Sequence, residues 1–114
     1  MASDKNTLSG NTDMLLLRLL ANEDMYGYQI IEELARRSND LFAMKAGTLY
    51  PLLHQLESKG FVESYESLAP TGKQRKYYHI TDDGRSYLEH REREWKCYAE
   101  TVNTILRGGV CCEG

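Results

Sequence analysis

The segment KAGTLYPLLHQLESKG, residues 45–60, sets Leu49, Leu52, Leu53 and Leu56 at i, i+3, i+4 and i+7, the spacing of one buried helical face. Directly after Gly60 the apolar period falls to two, and FVESYESL and KQRKYYHI flank the turn APTG, which reads as a β-hairpin. A docked helix followed at once by a hairpin leaves few architectures open. The helix carries Pro51 within its leucine stripe, where an interior proline costs about 3 kcal/mol but a first-turn proline costs little. The helix proper is therefore expected to begin near Thr48. Its other face is acid-free: from Lys45 to Leu56 there is no Asp or Glu, and Thr48, Tyr50, His54 and Gln55 point outward.

Two helices precede this pair. In DMLLLRLLANEDMYG, Asn11 or Thr12 is available as N-cap and Asp13 suits the helix dipole. Met14, Leu15, Leu16, Leu17, Leu19 and Leu20 cover most of the circumference, so burial on two sides is expected, with Met14 and Leu17 offered to a partner chain. Gly27 breaks the pattern. YQIIEELARRS resumes it, with Ile30, Ile31, Leu34 and Ala35 inward and Glu32, Glu33, Arg36 and Arg37 outward. NDLFAM then supplies a turn and a short extended piece, and Gly60 ends the third helix.

After the hairpin, ITDDGRSYLEHREREWKCYAETVNTILRG reads as one long helix with Thr81 as N-cap and Asp82 and Asp83 in the first turn. Leu88, Trp95 and Val102 recur at heptad spacing, Tyr98 and Ile105 fall between them, and Ala99 and Leu106 widen the seam. Such a seam invites a helical partner. Glu89 with Arg93 and Glu92 with Lys96 are i,i+4 pairs. The expected organisation is a flexible arm over 1–11, a DNA-binding unit over 12–80, a dimerisation helix over 81–107 and a flexible tail over 108–114.

Composition bounds what such a chain can do. At 114 residues, 41% hydrophobic and 27% charged, it suits one soluble domain with an appendage. No apolar run approaches the ~20 residues needed to cross a bilayer. MASDKNTLSGNTD is no basic leader, and Cys97, Cys111 and Cys112 form no C-x-x-C pair, so a reducing cytoplasm is expected, with no metal or cofactor. Vicinal Cys111 and Cys112 could take a soft metal, but no further ligand has a fixed place beside them. No nucleophile and base stand at recognisable spacing and no phosphate-binding glycine loop occurs, so an enzyme is not expected. The net charge of -3 argues against bulk attraction to nucleic acid. A local patch survives, because Ser67 to Thr81 is acid-free and holds Lys73, Arg75 and Lys76.

Three helices and a hairpin, mainly α with a small β element, make the order of a winged helix-turn-helix, in which the third helix enters the DNA major groove and the wing touches the backbone or minor groove. Tyr50, His54 and Gln55 are the expected base-edge or phosphate contacts, with Lys45 and Thr48 nearer phosphates at the helix entry. Lys73, Arg75 and Lys76 are the expected wing contacts. Strand alternation sends Lys76 to the face opposite Arg75, so not all three are expected to reach DNA. Tyr26, Gly27, Tyr28, Tyr77 and Tyr78 read as packing residues. The alternative is a winged-helix module whose neutral aromatic face docks a protein.

YGYQIIEEL (26–34), AGTLYPLLHQLESKGFVES (46–64), KQRKYYHITDDG (73–84) and the Trp of REREWKCY (91–98) together resemble the PadR-type transcriptional regulators, across roughly residues 14–107. The resemblance implies a dimeric winged-helix DNA-binding protein, usually a repressor acting at a palindromic operator near drug-efflux or phenolic-acid detoxification genes. Its short form, with a single long C-terminal helix, is similar to the subfamily that includes the lactococcal multidrug regulator. There a Trp of that helix lines a dimer-interface pore and stacks on planar aromatic ligands. The resemblance gives this place to Trp95, with Arg91 and Tyr98 near it.

Overall fold

A computed structural model of the chain describes residues 2–108, with side chains described from Asn11 onward. The elements run α1 (Ala2–Asn22), β1 (Met25–Tyr26), α2 (Gly27–Arg37), α3 (Ala46–Ser58), β2 (Val62–Leu68), β3 (Gln74–Ile80) and α4 (Asp82–Leu106). This is the expected order of a winged helix-turn-helix with a long closing helix. The hairpin strands pair antiparallel, from Val62 with Ile80 out to Leu68 with Gln74.

Two features depart from the sequence reading. First, α1 begins at Ala2, inside the stretch read as a flexible arm. Asn11 and Thr12 therefore lie mid-helix rather than at its N-terminus, since no proline stops a helix already nucleated at the leucine run. Second, Met25 and Tyr26 leave the helix and pair with Tyr78 and Tyr77, adding a third strand in the order β1-β3-β2. Two residues are too few to display alternation. Cys111 and Cys112 lie outside the described residues.

The core forms where α1, α2, α3 and the sheet meet, with Leu16, Leu17, Leu20, Ile30, Leu49, Leu53, Tyr78 and Ile80 fully buried. Met14, Leu17 and Leu88, assigned above to a dimer contact, are 7%, 0% and 3% exposed in the single chain. They are consumed by its own core and offer no surface to a partner. The leucine run of α1 is covered on several sides because α2, β3 and α4 all pack on it.

The foot of α4 is fixed by its cap. Thr81 donates its amide to the Phe61 carbonyl (3.0 Å) and its hydroxyl to the Gly60 carbonyl (2.6 Å), while Oγ1 accepts the Gly84 amide (3.0 Å). A side chain at Gly84 would collide with the Phe61 carbonyl and the Ile80 side chain, so only glycine lets the helix start this close. The Phe61 and Tyr87 rings stack at 4.4 Å. Higher up, the Tyr87 hydroxyl donates to Asp13 (2.5 Å), Arg91 meets Asp13 (3.3 Å), and Arg18 grips Glu92 Oε2 through Nε (2.9 Å) and Nη2 (2.6 Å). Asp13 thus serves α4 rather than a helix dipole. Glu92 pairs with Arg18 across the helix interface, where the sequence spacing had suggested Lys96.

Candidate nucleic-acid interface

The third helix starts earlier than its proline suggests. Lys45 is the N-cap, in extended conformation (φ -99°, ψ 158°), and its carbonyl already accepts the amides of Thr48 and Leu49, both at 2.9 Å. Pro51 therefore lies in the second turn, and Gly47 loses its i+4 amide partner. The helix tolerates this because Gly47 and Pro51 are both exposed, leaving the freed carbonyl to solvent. Gly60, at φ +80°, ends the helix as expected and turns the chain into β2.

Leu49, Leu53 and Leu56 are buried beneath α3, while Lys45, Thr48, Tyr50, His54 and Gln55 are exposed on its other side. The first turn carries no acid. Tyr50 is more constrained than its neighbours. Its ring lies across Gly27, where any Cβ would overlap it, so Gly27 is needed for close approach.

The wing shares this side of the molecule. Arg75 sets its guanidinium over the Tyr26 ring, 5.4 Å from the centroid, and Lys76 Nζ lies 5.9 Å from the Tyr78 centroid. The pair thus occupies opposite strand faces, as alternation requires, yet both line one cleft of about 380 Å³ together with Tyr26, Tyr28, Tyr50 and Gln74. The reason is β1's shortness. It pairs only with Tyr77 and Tyr78, so the edge of β3 at 74–76 is bare there and side chains from both faces reach round it. Opposite strand faces, as expected from alternation, therefore do not keep Arg75 and Lys76 out of one cleft. Lys73 is exposed in the turn before β3 and does not line this cleft; nor do Lys45, Thr48, His54 or Gln55. Tyr77 and Tyr78 pack, as expected: Tyr78 is 1% exposed, and Tyr77 stacks on Tyr65 (5.7 Å) and meets Tyr26 edge-on (5.4 Å). Tyr28, read as a packing residue, is instead 63% exposed.

The root of the wing is tied to the α1–β1 connection by Asp24. Its carboxylate accepts the Tyr65 hydroxyl (2.6 Å) and sits 2.8 Å from His79 Nδ1. Partial burial raises the Asp24 pKa, but the Tyr65 hydrogen bond and His79 outweigh it, and the net direction is down. Donation to that carboxylate pushes the Tyr65 phenol up to about 12. No sequence signal marks Asp24, because its role depends on β1 turning the chain beside β3. On the inner side the Ser64 hydroxyl donates to Glu57 of α3 (2.8 Å), joining wing and helix.

Along α4, Trp95, Tyr98, Ile105 and Leu106 are exposed, with Ala99 and Val102 half-buried. The Trp95 and Tyr98 rings lie 5.7 Å apart, tilted by 35°. They line an open groove of about 840 Å³ with Arg91, Arg93, Cys97 and others. Arg91 is partly committed there, being held by Asp13. Among the described residues no helix is long and apolar enough to cross a membrane.

The profile of the transcriptional regulator PadR-like family matches residues 16–90. An uncharacterised protein of Lysinibacillus sphaericus is 37% identical over 101 residues, covering 89% of this chain and 93% of its own length. A transcriptional regulator of Mycobacterium tuberculosis is 33% identical over 87 residues, covering 76% and 78%. Among solved structures, a PadR-like transcriptional regulator of Bacillus cereus superposes with a TM-score of 0.83 at 31% identity, covering 90% of this chain and 98% of that one. A transcriptional regulator of Clostridium thermocellum gives 0.78 at 32% identity, covering 87% and 96%. An acid-free helix face beside a cationic wing, on a fold shared along nearly its whole length, thus comes with matching sequence, and the chain belongs to the PadR-like family of transcriptional regulators, which bind DNA and are not enzymes.

Proposed function

We propose that the protein is a cytoplasmic homodimeric repressor that holds a roughly palindromic operator through two copies of α3 and two wings. The observation carrying this reading is the adjacency of Tyr50 of α3 to Arg75 and Lys76 of the wing in one cleft, at the edge of an exposed face without acids. Tyr50, His54 and Gln55 read base edges, and Lys45, Thr48, Lys73, Arg75 and Lys76 meet phosphates. The dimer forms through the outer seam of α4, where Trp95, Tyr98, Ile105 and Leu106 leave large apolar side chains in solvent in the single chain. Ala99 and Val102 complete that seam.

The groove beside Trp95 and Tyr98 supports a planar aromatic or lipophilic effector, with Arg91 at its rim and two protomers closing it. By population shift, the effector favours a spacing of the two recognition helices that no longer fits the half-sites, which releases an efflux or detoxification gene. A footprint on the DNA around its own gene tests the operator. Protection of two half-sites about one helical turn apart is expected. The combined Lys73→Glu and Arg75→Glu variant should lose that footprint. Quenching of Trp95, the single tryptophan in the chain, by a panel of planar aromatic drugs tests the effector. Unquenched fluorescence across the panel would exclude it.

A further inference from the structure

We propose that the cleft between α2, α3 and the wing is the seat of one DNA phosphodiester, gripped jointly by Tyr28 and Arg75; this rests on the DNA-binding reading above and adds a contact to it. The cleft is walled by the first turn of α2 (Tyr28, after the N-cap Tyr26), Tyr50 of α3, and the bare edge of β3 from Gln74 to Lys76.

Its chemistry is one-sided. Two cations and three phenol hydroxyls line it without a carboxylate, and neither Arg75 nor Lys76 has an acidic partner among the described residues. Glu66, opposite Lys76 in the strand register, does not line the cleft and accepts the Gln74 amide at 2.9 Å. The first turns of α2 and α3 also carry no acid, so the positive ends of both helix dipoles are left unneutralised. A charge arrangement of this kind selects an anion.

Preorganisation argues for the same occupant. The Tyr26 ring, itself against Tyr77, holds the Arg75 guanidinium in place, and Gly27 lets Tyr50 lie close. Among the lining aromatics Tyr26 is engaged by Tyr77 and Arg75 and Tyr50 lies against Gly27, whereas Tyr28 is the most exposed, at 63% against 38% for Tyr50, at a position where the core makes no use of it. A DNA strand leaving the groove occupied by α3 toward the wing passes over this cleft, and a neutral phenol with a guanidinium can share one phosphate between them.

The two residues contribute distinguishable signals. Full-length protein is titrated against a short fluorescein-labelled duplex of arbitrary sequence over a series of salt concentrations. Tyr28→Phe should weaken binding about 3- to 10-fold at every salt concentration with the slope of log K against log[salt] unchanged, because a neutral hydrogen bond is lost. Arg75→Gln should lower that slope by about 0.9, the release of one phosphate's counterion. In the double variant the loss should fall well short of the product of the two, as expected for residues sharing one phosphate. Melting of Tyr28→Phe should match the parent. Wild-type binding with an unaffected Tyr28→Phe, or strictly multiplicative losses, would overturn the shared seat alone. Failure of the wild type to bind the duplex at low salt would overturn the DNA-binding reading and this contact together.

Discussion

At the scale of single residues, the site is held by contacts whose partners lie far away in sequence. Gly27 is a place for Tyr50 to lie, and filling it should be felt chiefly in DNA binding. Gly27→Ala meets only the outer end of the exposed Tyr50 ring, which can swing aside, so it is expected to change stability by less than about 1 kcal/mol while weakening DNA binding as Tyr50 leaves its seat, measured by urea denaturation and duplex titration. Asp24 offers a titratable check. Its folded pKa is depressed, so its contribution to stability is present above the ordinary carboxylate value near ~3.9 and is lost as pH falls through the lower folded value. Tyr65 runs the other way: raised from 10.0 to about 12, it adds stability that is whole below 10.0 and is lost as pH climbs through about 12. Asp24→Asn should bring the tyrosinate absorbance of Tyr65 back toward the ordinary phenol range and cost about 1 kcal/mol, modest because the carboxylate is partly exposed. The sequence exposed Gly27 as a break but hid its cause, since Tyr50 lies in the next helix, more than twenty residues on. Asp24 was illegible for the same reason. Tyr28 had one readable clue, its place across Gly27 from Tyr26, which puts the two rings in different environments.

The elements themselves were more legible, because each depends on local periodicity. The leucine stripe of α3, the glycine at its end, the hairpin around APTG and the Thr81 cap all follow the expected pattern. The misreadings arose where a local rule had a non-local exception. Pro51 sits in the second turn because solvent, rather than the helix terminus, receives the carbonyl it frees. Pro51→Ala should restore that hydrogen bond and stabilise the protein by about 1 kcal/mol or more, read as a raised urea midpoint at unchanged slope. A lower midpoint would mean that the proline instead stabilises by restricting the unfolded chain. β1 was missed because its two residues gain their strand conformation only from β3, and with it went the explanation of why Arg75 and Lys76 share a cleft.

For the whole molecule, the question is which apolar surface remains after folding. Leu88, the start of the predicted seam, and Met14 and Leu17 of α1 vanish into the core, while Ile105 and Leu106 are 67% and 76% exposed. A heptad reading gives spacing but not the side from which the rest of the chain approaches, so it could not separate the two groups. Ile105→Asp with Leu106→Asp should leave the far-UV circular dichroism of the protein unchanged yet yield monomers by sedimentation, and should weaken operator binding by more than tenfold as the two half-sites are no longer linked. The chain measures 58 × 31 × 23 Å, and α4 contributes 25 residues to that length. At ~1.5 Å per residue the helix is about 37 Å long, so tilting it by ~5° about its far end swings its foot by roughly 3 Å. That foot has no slack, because Thr81 and Gly84 clamp it to Gly60 and Phe61, the residues that follow directly from α3. On the dimeric reading proposed above, a change of tilt of the last helix at its outer seam would be carried whole into the end of α3 and the root of the wing, and its throw approaches the ~3.4 Å between successive base pairs.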